Sequence, residues 1–150
     1  MGFAPDMIRN IMLAGHNGAG KTTLAESMLF FCKVIDRQGR TEEGNTTLDY
    51  DPEEVKRQAS LSSAMASVEF EGVKINLVDV PGLFDFELGL YEAIPAVESV
   101  VLVLSARSGL SVGARKAYRL AEKAGRSRMF YVSTLDAENT DFYKVFEQLK

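Results

Sequence analysis

Gly15-His16-Asn17-Gly18-Ala19-Gly20-Lys21-Thr22 satisfies the pattern G-x-x-x-x-G-K-[ST], and its reading decides the fold. The glycines let the backbone curl so that successive N–H groups point inward at the α- and β-phosphates of a nucleotide. Lys21 then reaches the β/γ oxygens and Thr22 offers a hydroxyl to Mg²⁺. Such a loop requires a strand before it and a helix after it. Upstream, Met-Ile-Arg-Asn-Ile-Met-Leu-Ala at 7–14 is an apolar-rich run of strand length. Downstream, Leu24, Met28, Leu29 and Cys32 recur at helical spacing, so a helix starting near Lys21 can lay one face on a sheet. Its N-terminus adds partial positive charge to the phosphate cradle. Gly15, His16, Asn17, Gly18, Ala19, Gly20, Lys21, Thr22 and Thr23 are the expected phosphate-binding residues.

Further along, Ala64 to Phe70 and Val73 to Val80 flank Glu71-Gly72, the signature of two strands joined by a tight turn. The second strand delivers Asp79 at its carboxyl end, where open α/β sheets bind ligands. Asp79 can there hold Mg²⁺ through water, and the Gly82 N–H can meet a γ-phosphate. Val97 to Ser105 is a nearly continuous apolar run, expected of a central strand buried on both faces. Ala114, Ala117, Tyr118, Ala121 and Ala124 mark a helix face, and Arg128 to Ser133 another strand. Phe142, Val145, Phe146 and Leu149 stripe a last helix, with a cap expected near Thr140 and the stripe expected in the core. The alternation predicts an α/β fold: a P-loop NTPase three-layer sandwich with a mostly parallel, doubly wound sheet and one antiparallel hairpin strand. The polar segment 36–60 has no apolar periodicity. It is either a solvated excursion or a nucleotide-sensing switch that orders around γ-phosphate and Mg²⁺, and its position favours the switch.

Of the 150 residues, 46% are hydrophobic and 25% charged, with a net charge of −4. That is the composition of one globular unit. The acidic balance offers no basic stripe for nucleic acid, so no direct nucleic-acid binding is expected. Cys32 is the sole cysteine and His16 the sole histidine, which points to a reducing compartment rather than a disulfide or a metal cluster. No apolar run reaches membrane-spanning length and no signal peptide is recognisable, so a cytoplasmic protein without membrane contact, and a monomer, is expected.

Three stretches together resemble a known family. Gly15 to Leu24, then Glu43-Gly44-Asn45-Thr46-Thr47-Leu48-Asp49-Tyr50-Asp51-Pro52-Glu53-Glu54-Val55-Lys56-Arg57-Gln58, then Asp79-Val80-Pro81-Gly82-Leu83-Phe84-Asp85-Phe86 are similar to the GTP-binding domain of translation elongation factor G. The resemblance runs from about Arg9 to the end of the chain, and its middle stretch is the specific part. It implies a multidomain translational GTPase that binds GTP or GDP with Mg²⁺ and acts on the ribosome through domains outside 1–150. By position, Lys21 and Gly82 would serve the γ-phosphate in catalysis, Thr22, Ser60 and Asp79 would hold the metal, and Asp136 would read guanine. The family's next guanine-contacting segment would lie beyond Lys150, so 1–150 is expected to be a C-terminally incomplete G domain from a longer protein.

Ser60 stands for a threonine of the family and keeps its hydroxyl, a mild departure; two further departures from the family pattern are not mild. Leu83 stands where the family has a water-positioning histidine, and an isobutyl group cannot orient water, so slow turnover is expected. Ser133-Thr134-Leu135-Asp136 stands for the guanine-reading N-K-x-D and keeps only the aspartate, which implies weakened guanine preference. Two principal readings follow: a translational GTPase, slow alone and faster on the ribosome, or a paralogue that binds the nucleotide as a regulatory or structural ligand without hydrolysing it. A P-loop kinase or ATPase would account for the degenerate N-K-x-D but not for the middle stretch.

Overall fold

Five strands form a single sheet in the order β2-β3-β1-β4-β5 in the computed structural model, which describes residues 2–83 and 88–150. They are β1 (Ile8–Gly15), β2 (Ala64–Phe70), β3 (Val73–Asp79), β4 (Ser99–Ser105) and β5 (Ser127–Ser133). All neighbours run parallel except the β2–β3 hairpin. Its two-residue turn holds Glu71 at φ 49° and Gly72 at φ 80°, the doubly left-handed geometry whose twist matches that of the strands. The register sets Leu13 beside Asp79 and Gly15 beside Val103, bringing the carboxyl ends of β1, β3 and β4 to one edge. The expected sheet is therefore observed.

Helices cover both faces. Helix α1 (Lys21–Phe31) lies on one, with Ala25 and Leu29 packed towards Leu13, Val101 and Val103 and towards Val68 and Leu77. Helices α3 (Leu88–Ala93) and α4 (Val112–Lys123) cover the other, where Ala117 and Ala121 meet Met12, Ala14, Val100 and Leu102. Small side chains at these positions let α4 approach the strands closely. Ala124, expected on the same face, is the exposed C-cap of α4, because the helix ends before it.

Two elements refine the sequence reading. Helix α5 (Phe142–Leu149) is capped by Asp141, whose carboxyl accepts from the Lys144 N–H at 3.2 Å, while the Thr140 hydroxyl donates to Leu135 and Ala137 carbonyls. Only Val145 of its stripe is fully buried, against Leu104 and Ala114; Phe142 and Phe146 remain about half exposed and stack on each other at 6.1 Å. The cause is position: α5 sits over the last strand of the sheet and has few side chains to meet. The polar 36–60 segment contains a single 3-10 turn (Thr41–Glu43) and helix α2 (Pro52–Arg57). Asp51 and Glu54 form a reciprocal capping box around Pro52. Among the described residues, no helix is long and apolar enough to cross a membrane. Phe84, Asp85 and Phe86 of the resembling stretch lie outside the described residues.

Candidate functional site

The loop between β1 and α1 lies at the edge where β1, β3 and β4 end. Gly18 (φ 72°) and Gly20 (φ 90°) adopt left-handed conformations that side chains disfavour. Gly15 is required for a different reason, since a Cβ there would run into the Val103 carbonyl oxygen of β4. The loop is tied down from both sides. The Asn17 N–H donates to the Gly82 carbonyl at 3.1 Å, and the Ser133 hydroxyl at the end of β5 donates to the Ala19 carbonyl at 2.7 Å. Ser133 thus supports the loop's backbone.

Helix α1 begins at Lys21, so the buried face of its first turn carries Lys21 and Thr22. Lys21 is 6% exposed and its Nζ donates to the His16 carbonyl at 3.3 Å. Burial holds its pKa below the usual lysine value, opposed by the nearby charges of Asp79 and Asp49. Asp79 is 1% exposed. One carboxyl oxygen accepts from the Thr22 hydroxyl at 2.6 Å, and the other is buried without a hydrogen-bond partner among the described residues. Burial raises its pKa to about 6, against the opposing pull of Lys21 and Thr22. The Thr22 hydroxyl is 3.4 Å from that of Ser60, which donates to Asp49 at 2.6 Å. An orphaned carboxyl oxygen beside two hydroxyls suits a hard divalent cation with oxygen ligands. A lysine buried next to it suits the phosphate oxygens that such a cation accompanies.

Lys21, Thr22 and Ser60 face a cavity of about 180 Å³, and Asp79, bonded to Thr22, is not part of its lining. Asn17, Gly18, Gly20, Lys21, Thr22, Thr23, Ser60 and Gly82 line it, while Gly15, His16 and Ala19 form the loop behind it. Residue 82 has to be glycine, because a Cβ would lie 2.5 Å from Lys21 Nζ and 2.6 Å from the Asn17 nitrogen. Asp136 lies outside the cavity, exposed in the chain that follows β5. Leu83 also lies outside, half-buried against a separate cavity of about 30 Å³ lined by Val80, Leu90, Gly113 and Lys116. Thr41, Glu42, Asp49, Gln58 and Ala59 complete the lining and were not among the expected site residues. Their approach depends on how 36–60 folds back, which no spacing rule announces. The one local sign is the D-P-E-E run that starts α2, whose Glu54 is 2% exposed and accepts from the Leu61 and Ser62 N–H groups at 2.9 and 3.1 Å. That clasp fixes the chain just after Ser60.

Known proteins are similar to this chain in sequence and in fold. A Mycobacterium tuberculosis protein described as elongation factor G-like is 34% identical over 92% of this chain, and elongation factor G of Granulibacter bethesdensis is 32% identical over 97%. The chain spans about a fifth of the length of these relatives, 19% and 21% respectively. A crystal structure of a Thermus thermophilus protein superimposes with a TM-score of 0.91 at 38% identity, covering 95% of this chain and 22% of that one. The family model for the elongation factor Tu GTP-binding domain matches residues 6–150, nearly the whole chain, which therefore belongs to the elongation factor Tu GTP-binding domain family.

Proposed function

We propose that the chain binds a guanine nucleoside triphosphate with Mg²⁺ in the 180 Å³ cavity, as the nucleotide domain of a translational GTPase of the elongation factor G type. The observation that carries this reading is the burial, side by side, of Lys21 and of an Asp79 oxygen that has no hydrogen-bond partner among the described residues. Each is costly in the absence of a ligand. Loop N–H groups and Lys21 would hold the β- and γ-phosphates, and Thr22 and Ser60, with Asp79 through water, would hold the cation. A cation held by these residues would supply neutralisation of the charge on the phosphate oxygens. The Gly82 N–H would face the γ-phosphate, and the 36–60 segment would serve as the switch that senses it. Ribosome engagement would come through the remainder of a longer protein, working in the cytoplasm where the lone Cys32 stays reduced.

Leu83 favours a second reading of the same site, in which nucleotide is bound but hydrolysed slowly or not at all. Its side chain has no polar atom to orient water and packs against a different cavity. Base selection rests on Asp136 with reduced help, since Ser133 is engaged with the phosphate loop. Calorimetric titration of the full-length protein with GTP and with ATP, both with Mg²⁺, tests the reading. GTP should bind more tightly, and Lys21→Ala should weaken triphosphate binding at least a hundredfold. Equal affinities for the two nucleotides would remove guanine from the proposal, and tight binding by the variant would remove the phosphate loop.

A further inference from the structure

Glu26 is completely buried, yet none of the phosphate or cation chemistry above uses it. It stands one helical turn after Thr22 on α1, so the two side chains project from one face. One Glu26 oxygen accepts from the Thr47 N–H at 2.5 Å; the other accepts from the Gly39 N–H at 3.1 Å and the Thr47 hydroxyl at 3.3 Å. A single carboxyl therefore closes the loop 39–47 at its base. The loop is cross-tied within itself by the Arg40 N–H to Asn45 at 2.7 Å. Immediately beyond Thr47, Leu48 enters the core beside Ala25 and Leu13, and Asp49 takes the Ser60 hydroxyl next to Thr22.

Helix α1 thus grips the 36–60 segment at three points: at Glu26, at Ser27, whose hydroxyl accepts from the Gln38 amide at 2.7 Å, and through Ser60 and Asp49 at Thr22. Burying a carboxyl is expensive unless all its acceptors are used. Here the bonds in question go to one stretch of chain, the stretch that lines the cavity. We infer that Glu26 is a positioning residue: it clasps the 36–60 segment over the phosphate loop and thereby sets how strongly Mg²⁺-nucleotide is retained. The retention half rests on the nucleotide-binding reading above; the clasp itself does not.

The full-length protein offers two ways to open the clasp. Glu26→Ala removes the acceptors from the helix side. Gly39→Ala acts from the loop side, because its Cβ would lie 2.6 Å from Thr46 Cα, 2.7 Å from the Asn45 carbonyl and 2.8 Å from a Glu26 oxygen. Glu26→Gln keeps the size and one acceptor oxygen. Without nucleotide, amide hydrogen exchange across 37–50 should rise roughly tenfold or more in both alanine variants and less in Glu26→Gln, with β1 and β4 unchanged. With a fluorescent GTP analogue, the Mg²⁺ concentration for half-retention should rise severalfold in the alanine variants, while retention in EDTA stays at the wild-type level. Unchanged exchange at 37–50 overturns the clasp, as does acceleration shared equally by β1 and β4, which would mark a purely structural glutamate. Faster exchange with unaltered Mg²⁺ dependence overturns the link to retention. A wild-type protein that holds no nucleotide refutes the functional reading and the retention half together, and the exchange experiment then decides the clasp alone.

Discussion

Asp79→Asn should stabilise the nucleotide-free protein while destroying its hold on the cation. The side chain is 1% exposed and its pKa stands at about 6, against 3.8 for an unperturbed aspartate, with burial the largest cause. The folded state therefore binds this proton more tightly than the unfolded chain does. By linkage the group costs stability at neutral pH, and the cost fades as pH falls from 6 towards 4. The shift corresponds to roughly 3 kcal/mol at pH 7 and well under 1 kcal/mol at pH 4. Asparagine keeps the shape and can still accept the Thr22 hydroxyl bond now 2.6 Å long, so most of that cost should be recovered. Native-state hydrogen exchange of β1 and β4 amides, in Mg²⁺-free full-length protein, reads the opening free energy of this domain alone. Exchange in the variant should be slower by on the order of a hundredfold at pH 7, with the two proteins converging near pH 4. Added Mg²⁺ and GTP should then slow exchange in wild type far more than in the variant and reverse their order. A variant that is less stable than wild type at pH 7, or a gain independent of pH, would refute the reasoning.

Two further substitutions probe the same edge of the sheet. Leu83→His should raise ribosome-stimulated, single-turnover GTP hydrolysis at least tenfold, given that water-positioning groups contribute about 10² to 10⁴; a change of less than a few-fold would mean that Leu83 does not limit the chemistry. Gly82→Ala should weaken triphosphate binding by calorimetry through the overlap of its Cβ with Lys21 Nζ and the Asn17 nitrogen, at a cost of about 1–3 kcal/mol. Wild-type affinity in that variant would show that the loop shifts freely.

The features legible in the sequence were those whose cause is local. The strand–loop–helix around Gly15–Thr22 follows from glycines and apolar spacing, the β2–β3 hairpin from Glu71-Gly72, and Asp79 from its place at a strand's end. Helix α2 escaped the periodicity test because it is barely more than a turn and its buried side chain is Glu54, a polar residue. Asp49 and Gln58 reached the cavity through the return of 36–60 onto α1, a matter of tertiary hydrogen bonds rather than of pattern. The α5 stripe had the right period, yet Phe142 and Phe146 stay half exposed: periodicity says which residues share a face and is silent on what that face meets. Thr140 and Asp141 are both competent caps, so the choice between them depended on where the backbone turned helical.

The 3.1 Å bond from the Asn17 N–H to the Gly82 carbonyl carries a consequence for what the cradle can hold. A loop amide committed to the protein's own carbonyl is not idle, so an anion that claims it must first displace that carbonyl. Binding is then an exchange reaction in which one hydrogen bond is given up for each one made at this amide. An anion with few oxygens, gripping a single amide, gains almost nothing by the exchange. A polyphosphate that engages neighbouring amides and Lys21 at once can bear the loss. The tether would thus act as a threshold against small anions and couple the filling of the loop to the release of Gly82, in the chain that follows β3.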